Sequence, residues 1–313
     1  MRSTLNNLSS KKQGHPEIEV LLATFNGEEY LETFLESLAN QEDVRIRLIV
    51  SDDGSTDKTL EILRKFNGDF LSMEIFEGPK AGILENFFNL IKLSKGEFVA
   101  LADQDDVWKP KKLISAIEHI ERTRNSAQKI LYIGSTISSN NQFLESKLFS
   151  FPLNWFRGNN LGMTFVLNKK LVNHLKVIDC SNLIAHDWSI QLIAQSCGQV
   201  ILDSSTQSIY RLHSKNAIGL SNVCDRVLRY WKYKQILSRK EKLILQMKAI
   251  SHQLGPDMSA KDMELLNELN RAMNSKLIYR IAYVLRYFET FSSSPATYLW
   301  FCTIVLIPSV SVF

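Results

Sequence analysis

Short apolar runs and amphipathic stretches alternate over the first hundred residues. Glu17-Ile18-Glu19-Val20-Leu21-Leu22-Ala23 is a mostly apolar run ending in Thr24-Phe25-Asn26-Gly27, as a strand entering a turn would be. Over 28–39, Tyr30, Leu31, Phe34, Leu35 and Leu38 recur at helical spacing and share one face. A second strand, 46–50, runs into Ser51-Asp52-Asp53-Gly54-Ser55-Thr56-Asp57, and a helix over 58–66 follows with Thr56 or Asp57 as its cap. A strand over 71–76, a helix over 82–93 and a strand over 98–102 continue the series, and Pro110 opens the next helix. This β–α alternation predicts an α/β protein with a mostly parallel sheet and helices on both faces. Ligands of such sheets bind beyond the carboxyl ends of the strands. Thr24-Phe25-Asn26, Asp52-Asp53 and Asp103-Asp105 all fall at those ends.

The acidic cluster is the most informative of the three. In Ala102-Asp103-Gln104-Asp105-Asp106-Val107-Trp108, three carboxylates stand where a buried strand gives way to a loop. Like charges held together there call for a cation, and carboxylate oxygens suit Mg²⁺ or Mn²⁺ with positions left open for phosphate. The plainer reading is a solvated acidic turn capping the next helix. Asp52 and Asp53 have two readings as well. A carboxylate accepts from a pyrimidine N3–H or a ribose hydroxyl, and it also shapes a turn before glycine.

These segments, with Gly162-Met163-Thr164-Phe165, His186-Asp187-Trp188, Tyr210-Arg211-Leu212-His213 and Asn216, occur in an order that resembles family 2 glycosyltransferases of the GT-A fold. The likeness runs from about residue 17 to 219 and is strongest to bacterial rhamnosyltransferase-like enzymes. It implies a Rossmann-like catalytic domain and transfer of a sugar, with inversion, from a nucleotide-sugar donor. Rhamnose from dTDP-rhamnose is the expected donor, and a lipid-linked surface polysaccharide or O-antigen-type glycan the acceptor. The alternatives are a UDP-hexose donor, or a degenerate membrane-bound scaffold. By the same resemblance Asp103, Asp105 and His213 hold the metal, although Leu212 stands where many relatives carry glutamine. Thr24, Phe25, Asn26, Asp52, Asp53 and Asp103 face the nucleotide. Asp187 is the base that takes the acceptor's proton, although its place before an amphipathic helix also suits an N-cap. Asp106, Trp108, Met163, Thr164, His186 and Trp188 are candidate sugar or acceptor contacts, the tryptophans being equally at home in a core. Lys80 and Arg211 are further phosphate partners to consider.

Composition adds location and organisation. The chain has 313 residues and a net charge of +4. Residues 1–16 are polar, without the apolar core of a secretory signal, and read as a disordered extension before a catalytic domain over 17–220. The four cysteines, Cys180, Cys197, Cys224 and Cys302, show no metal-ligand spacing and suit reduced thiols of a cytoplasmic protein. From 221 to 313 the character changes to a basic helical module. A helix over 225–254 carries Arg226, Arg229, Lys232, Lys234, Arg239, Lys240, Lys242 and Lys248; Gly255-Pro256 breaks it, and 260–273 is helical again. Residues 276–288 mix bases with aromatics, and the apolar run 298–307 is about half of the ~20 residues needed to cross a bilayer. This pattern predicts peripheral attachment to the anionic inner face of the cell membrane, or docking on the catalytic domain or on a second copy in a homo-oligomer. No nucleic-acid recognition module accompanies the charge.

Overall fold

The computed structural model describes residues 14–123, 128–149, 153–156, 158, 160–213, 233–288, 298, 301–302 and 305–306. Residues 1–13, Asn216, Cys224, Arg226, Arg229, Lys232 and parts of 298–307 lie outside these, so the expectations placed on them are not addressed by the structure. The strands are β1 (Glu17–Thr24), β2 (Arg45–Asp52), β3 (Ser72–Glu77), β4 (Phe98–Asp103), β5 (Val107–Trp108), β6 (Ile130–Ser138), β7 (Phe143–Leu144), β8 (Phe165–Asn168) and β9 (Gln199–Tyr210). Helices are α1 (Leu31–Ala39), α2 (Thr59–Lys65), α3 (Ile83–Leu93), α4 (Lys112–Glu121), α5 (Leu153–Phe156), α6 (Lys169–Leu175), α7 (His186–Cys197), α8 (Tyr233–Leu254), α9 (Ala260–Met273) and α10 (Leu277–Arg286).

Alternation along the strands fixes the layers. On β1, Ile18, Val20 and Leu22 face one side and join Leu31, Phe34, Leu35 and Leu38 of α1 and Leu113, Ala116, Ile117 and Ile120 of α4. Leu21 and Ala23 face the other side and join Phe87, Phe88, Leu90 and Ile91 of α3 and Ile190, Leu192, Ile193 and Ala194 of α7. The period-2 strand pattern and the 3.6-period helix pattern thus meet in two apolar layers, one on each face of the sheet.

All the strands form one sheet in the order β3-β2-β1-β4-β8-β6-β9-β5, with β7 paired to β6. The four strands expected from the sequence are parallel. Beyond β4 the expectation of a mostly parallel sheet is corrected: β8 is antiparallel to both β4 and β6, β9 is parallel to β6, and β5 is antiparallel to β9. The sheet is therefore mixed, which lets β4 end beside a strand arriving from the opposite direction. Helix starts also shift. Residues 28–30 form a turn before α1, and Pro110 lies in the turn before α4, whose N-cap is Lys111.

The C-terminal helices dock rather than stand apart. Leu243, Ile244, Met247, Ile250 and Leu254 of α8 and Leu269, Ala272 and Met273 of α9 join the α3–α7 core, as do Phe301 and Val305. Among the described residues, no helix is long and apolar enough to cross a membrane.

Candidate active site

Register brings the three polar strand ends together. Thr24 lies opposite Asp52 across the β1–β2 ladder, and Ala23 lies opposite Asp103 across β1–β4. The Gln104 side-chain amide extends this junction by accepting from the Phe25 N–H at 3.0 Å and donating to the Phe25 carbonyl at 2.9 Å. Above the rim opens a cavity of about 480 Å³ whose lining includes Thr24, Phe25, Asp53, Asp103, Asp105, His186 and Asp187.

On the β2 side the two aspartates divide. Asp52 is buried and accepts from the Thr24 hydroxyl at 2.8 Å, the Ser55 N–H at 2.8 Å and the Ser55 hydroxyl at 2.6 Å. It shapes the turn and is absent from the cavity lining. Asn26, with φ at 48°, likewise ties the turn together by accepting from the Thr56 N–H at 2.9 Å, and does not line the cavity. Asp53 does line it. Its two carboxylate oxygens accept from the backbone N–H groups of Lys80 at 2.6 Å and Gly82 at 2.8 Å. Gly82 holds φ at 103°, a conformation an L side chain resists, so the loop turns sharply into α3 and carries Lys80 to the cavity edge.

The acidic loop meets residues more than a hundred positions away. Pairing of Val107 with Ile209 and Trp108 with Ser208 lays the end of β9 beside it. His213 Nε2 and Asp105 Oδ2 stand 2.8 Å apart. The His213 ring stacks on Tyr30 at 4.4 Å, and the Arg211 guanidinium lies over the same tyrosine at 5.0 Å while its Nη2 donates to the Tyr30 carbonyl at 2.9 Å. Arg211 also donates through Nε to the Asp105 carbonyl. It thus braces the loop's backbone, and it is not among the residues lining the cavity.

The electrostatics record how tightly the acids converge. Burial pushes the Asp103 carboxyl up to about 8, with the negative charges of Asp105 and Asp187 adding to the effect. The Tyr210 phenol, on the cavity wall, is raised by burial and then by Asp106, Asp105, Asp103 and Asp187. A divalent cation bound here would neutralise these carboxylates. His213 Nε2 and Asp105 Oδ2, 2.8 Å apart, bond each other here and are two atoms that would turn to such an ion. Carboxylates with one imidazole also suit Mn²⁺ or Mg²⁺. The donor set fits such an ion chemically, although among the described residues no three such groups already enclose a metal position.

Asp106 belongs beneath the site. It is fully buried, and its carboxyl is raised well above the ordinary range by burial and then by Asp103 and Asp105, with Lys112 opposing. Lys112 is itself buried, lowered to about 7 by that burial, and donates to the Met163 carbonyl at 2.8 Å while its ammonium lies 4.6 Å over the Trp108 ring. Trp108 packs edge-on against Phe34. Met163 and Thr164 are buried in the turn before β8, and Trp188 donates through its indole to the Asn154 carbonyl at 2.8 Å. Asp106, Lys112, Trp108, Met163, Thr164 and Trp188 are all absent from the cavity lining.

Asp187 and His186 arrive from the opposite wall at the start of α7. The N-cap is Ala185, so Asp187 sits in the first turn and is not the cap, and its Oδ1 accepts from the Trp188 N–H at 2.6 Å. His186 stacks on Phe87 at 3.9 Å; its Nε2 is buried without a hydrogen-bond partner, and burial lowers its pKa. A Cβ on Gly162 would stand 2.4 Å from that nitrogen, so the glycine keeps this part of the wall open. Ile83, Asn86, Gln104, Leu161 and Tyr210 also line the cavity and were not assigned to it from the sequence. Gln104, between two acidic candidates, and Tyr210, in the motif that ends at His213, carry a sequence signal; Ile83, Asn86 and Leu161 do not.

The family pattern described as Glycosyl transferase family 2 matches residues 19–175. The dTDP-rhamnosyl transferase RfbG of Shigella flexneri is 26% identical over 277 residues, 84% of this chain and 92% of that protein. Among solved structures, residues 1–349 of S. aureus TarS in complex with UDP-GlcNAc align with a TM-score of 0.57 at 18% identity, covering 89% of this chain and 82% of that one. A mannosyltransferase from Pyrobaculum calidifontis in complex with GDP-Man and Mn²⁺ aligns with a TM-score of 0.53 at 15% identity, covering 93% and 86%. With a GT-A-like mixed sheet and, at its rim, a cavity lined by Asp53, Asp103, Asp105 and Asp187, the chain belongs to glycosyltransferase family 2.

Proposed function

We propose that the protein transfers rhamnose from dTDP-rhamnose, with inversion and in a metal-dependent reaction, to a lipid-linked glycan at the cytoplasmic face of the cell membrane. The observation that carries this reading is the convergence of Asp103, Asp105 and Asp187 on one cavity at the sheet rim. The likeness to RfbG along nearly that protein's whole length supports the donor. The apolar side chains Phe25, Ile83 and Leu161 in the lining give the thymine methyl and the C6 methyl of a 6-deoxy sugar surfaces to bury.

In this reading Asp103, Asp105 and His213 hold Mn²⁺ or Mg²⁺, as the DXD-type motif would. When bound, the ion supplies Lewis-acid neutralisation of the charge that grows on the leaving diphosphate. Asp53 fixes the loop bearing Lys80 around the nucleotide, and Thr24 and Phe25 complete that side. Asp187 accepts the proton of the acceptor hydroxyl as the oxygen attacks the anomeric carbon. Attack from the α7 side, opposite the departing diphosphate, inverts the anomeric centre without a covalent sugar–enzyme intermediate. His186 Nε2 is neutral, buried and unpartnered, and a sugar hydroxyl that reached it would satisfy either tautomer, because a hydroxyl both donates and accepts.

The test is calorimetric binding of dTDP-rhamnose, UDP-glucose, UDP-galactose and GDP-mannose, each with and without Mn²⁺. Metal-dependent binding of dTDP-rhamnose above the others, lost in Asp105→Asn, is expected. Preference for a UDP-hexose overturns the donor, and equal binding in EDTA overturns the metal.

A further inference from the structure

The sequence spreads its membrane expectation over residues 221–313; the packing narrows it. The long helix α8 spends its apolar positions Leu243, Ile244, Met247, Ile250 and Leu254 against the catalytic core. Phe301 and Val305 are buried as well, Phe301 lying 6.1 Å from the rings of both Tyr283 and Tyr287. Among the described residues of this module, exposed apolar side chains gather on one face of α10, with Leu245 of α8 apart from them. Tyr283 and Val284 point into the core, whereas Leu277, Ile278, Ile281, Leu285 and Phe288 are 38–66% exposed. At 3.6 residues per turn the four on α10 fall within an arc of about 100°, and Phe288 follows in the turn after the helix. This is a continuous apolar stripe, not scattered surface leucines.

Charge names its occupant. Residues 276–288 contain Lys276, Arg280 and Arg286 and no acid. Arg286 flanks the stripe, 3.4 Å from Glu268 of α9, and Lys276 sits exposed at its N-terminal end. An apolar stripe edged by bases matches a leaflet of anionic phospholipid, with the side chains among the acyl chains and the bases at the headgroups. A second copy fits poorly, since a two-fold contact through α10 would set the three bases of one copy against those of the other. Spanning is excluded by length: ten residues of helix rise about 15 Å, against ~30 Å of hydrocarbon.

We infer that α10 is the membrane-docking element, lying flat on an anionic bilayer through Leu277, Ile278, Ile281, Leu285 and Phe288. It gives the proposed lipid-linked acceptor a means of reaching the enzyme and rests on that reading for its purpose. The binding itself requires neither donor nor acceptor.

The experiment is co-sedimentation of the full-length protein with vesicles of phosphatidylglycerol and phosphatidylcholine, and with phosphatidylcholine alone. The wild type pellets with the anionic vesicles, less so as salt rises. Ile278→Ser with Leu285→Ser alters only exposed side chains; it lowers vesicle partitioning by about ten-fold or more and leaves the melting temperature and dTDP-rhamnose binding as in the wild type. Lys276→Gln with Arg286→Gln removes most of the preference for phosphatidylglycerol. Partitioning of the double serine variant equal to that of the wild type overturns the inference, as does a wild type that ignores anionic vesicles. A dimer in light scattering that the serine changes dissociate, without vesicle binding, assigns the face to a second copy and overturns it as well. If vesicle binding holds while dTDP-rhamnose fails to bind, the donor assignment falls and the docking face stands.

Discussion

Replacing Asp187 by asparagine separates its chemistry from its structural duties. The carboxylate sits in the first turn of α7, where its charge favours the helix dipole by about 0.3–1 kcal/mol. Neutralising it removes that gain, but also removes one of the two charges that add to the elevation of the Asp103 carboxyl. The Trp188 N–H keeps an acceptor, since an asparagine Oδ1 can take the place of the carboxylate oxygen now 2.6 Å away. These opposed effects leave a net stability change within about 1 kcal/mol. The rate is different. A general base contributes about 10²–10⁴-fold, and the amide cannot take a proton from the acceptor. Turnover at saturating donor, measured by transfer of radiolabelled rhamnose, should fall by that factor while the calorimetric donor affinity stays within about two-fold, given that Asp187 faces the acceptor. Retention of more than about a tenth of wild-type turnover, below the least effect of a general base, would refute the assignment. So would a loss of donor affinity that accounts for the loss of rate.

Three further outcomes follow from the same geometry. In metal-free protein, Asp103 holds its proton up to about pH 8 when folded and only to about pH 4 when unfolded. The folded state therefore binds more protons between those values, and this group's contribution to stability falls as pH rises through them. Half-buried His174 and buried His186, with lowered pKa values, slope the other way below about pH 6.5. The comparison of wild type with Asp103→Asn in urea melts under EDTA isolates the effect: the variant gains relative stability from about pH 4 to pH 8 and then levels off, and a flat difference would contradict it. Asp53→Ala leaves the Lys80 and Gly82 N–H groups without their acceptor, which should cost about 1–3 kcal/mol in chemical denaturation and weaken donor binding; unchanged donor affinity would show that the loop does not shape the nucleotide side. His186→Phe keeps an aromatic ring against Phe87 and removes Nε2, so steady-state kinetics should show a KM about 3–10-fold higher for one substrate, and wild-type KM values for both would remove the hydroxyl contact.

β1 to β4, the helices between them and the identity of most rim residues are legible in the amino-acid order alone. Each is a local signal: a period-2 or 3.6 apolar pattern, a turn glycine, an acid at a strand's end. The resemblance carried by those motifs set the family. In the second half of the sheet the strand-like run 208–212 before His213 is legible, while Ile130-Leu131-Tyr132-Ile133 and Phe165-Val166-Leu167 are apolar runs too short to declare their place. What these segments pair with is settled by packing across the whole sheet. An apolar face states that it will be buried and is silent about its partner. The register of β9 places His213 against Asp105 across 108 residues of chain and turns Arg211 into a brace for the loop. Packing likewise sent Trp108, Met163 and Thr164 into the interior, engaged Trp188 with the Asn154 carbonyl, and gave Asp52 and Asn26 to the turn while Asp53 kept the cavity. In the C-terminal helices, composition announced basic amphipathic segments; which apolar face met the core and which stayed open was fixed by the space left beside α3 and α7.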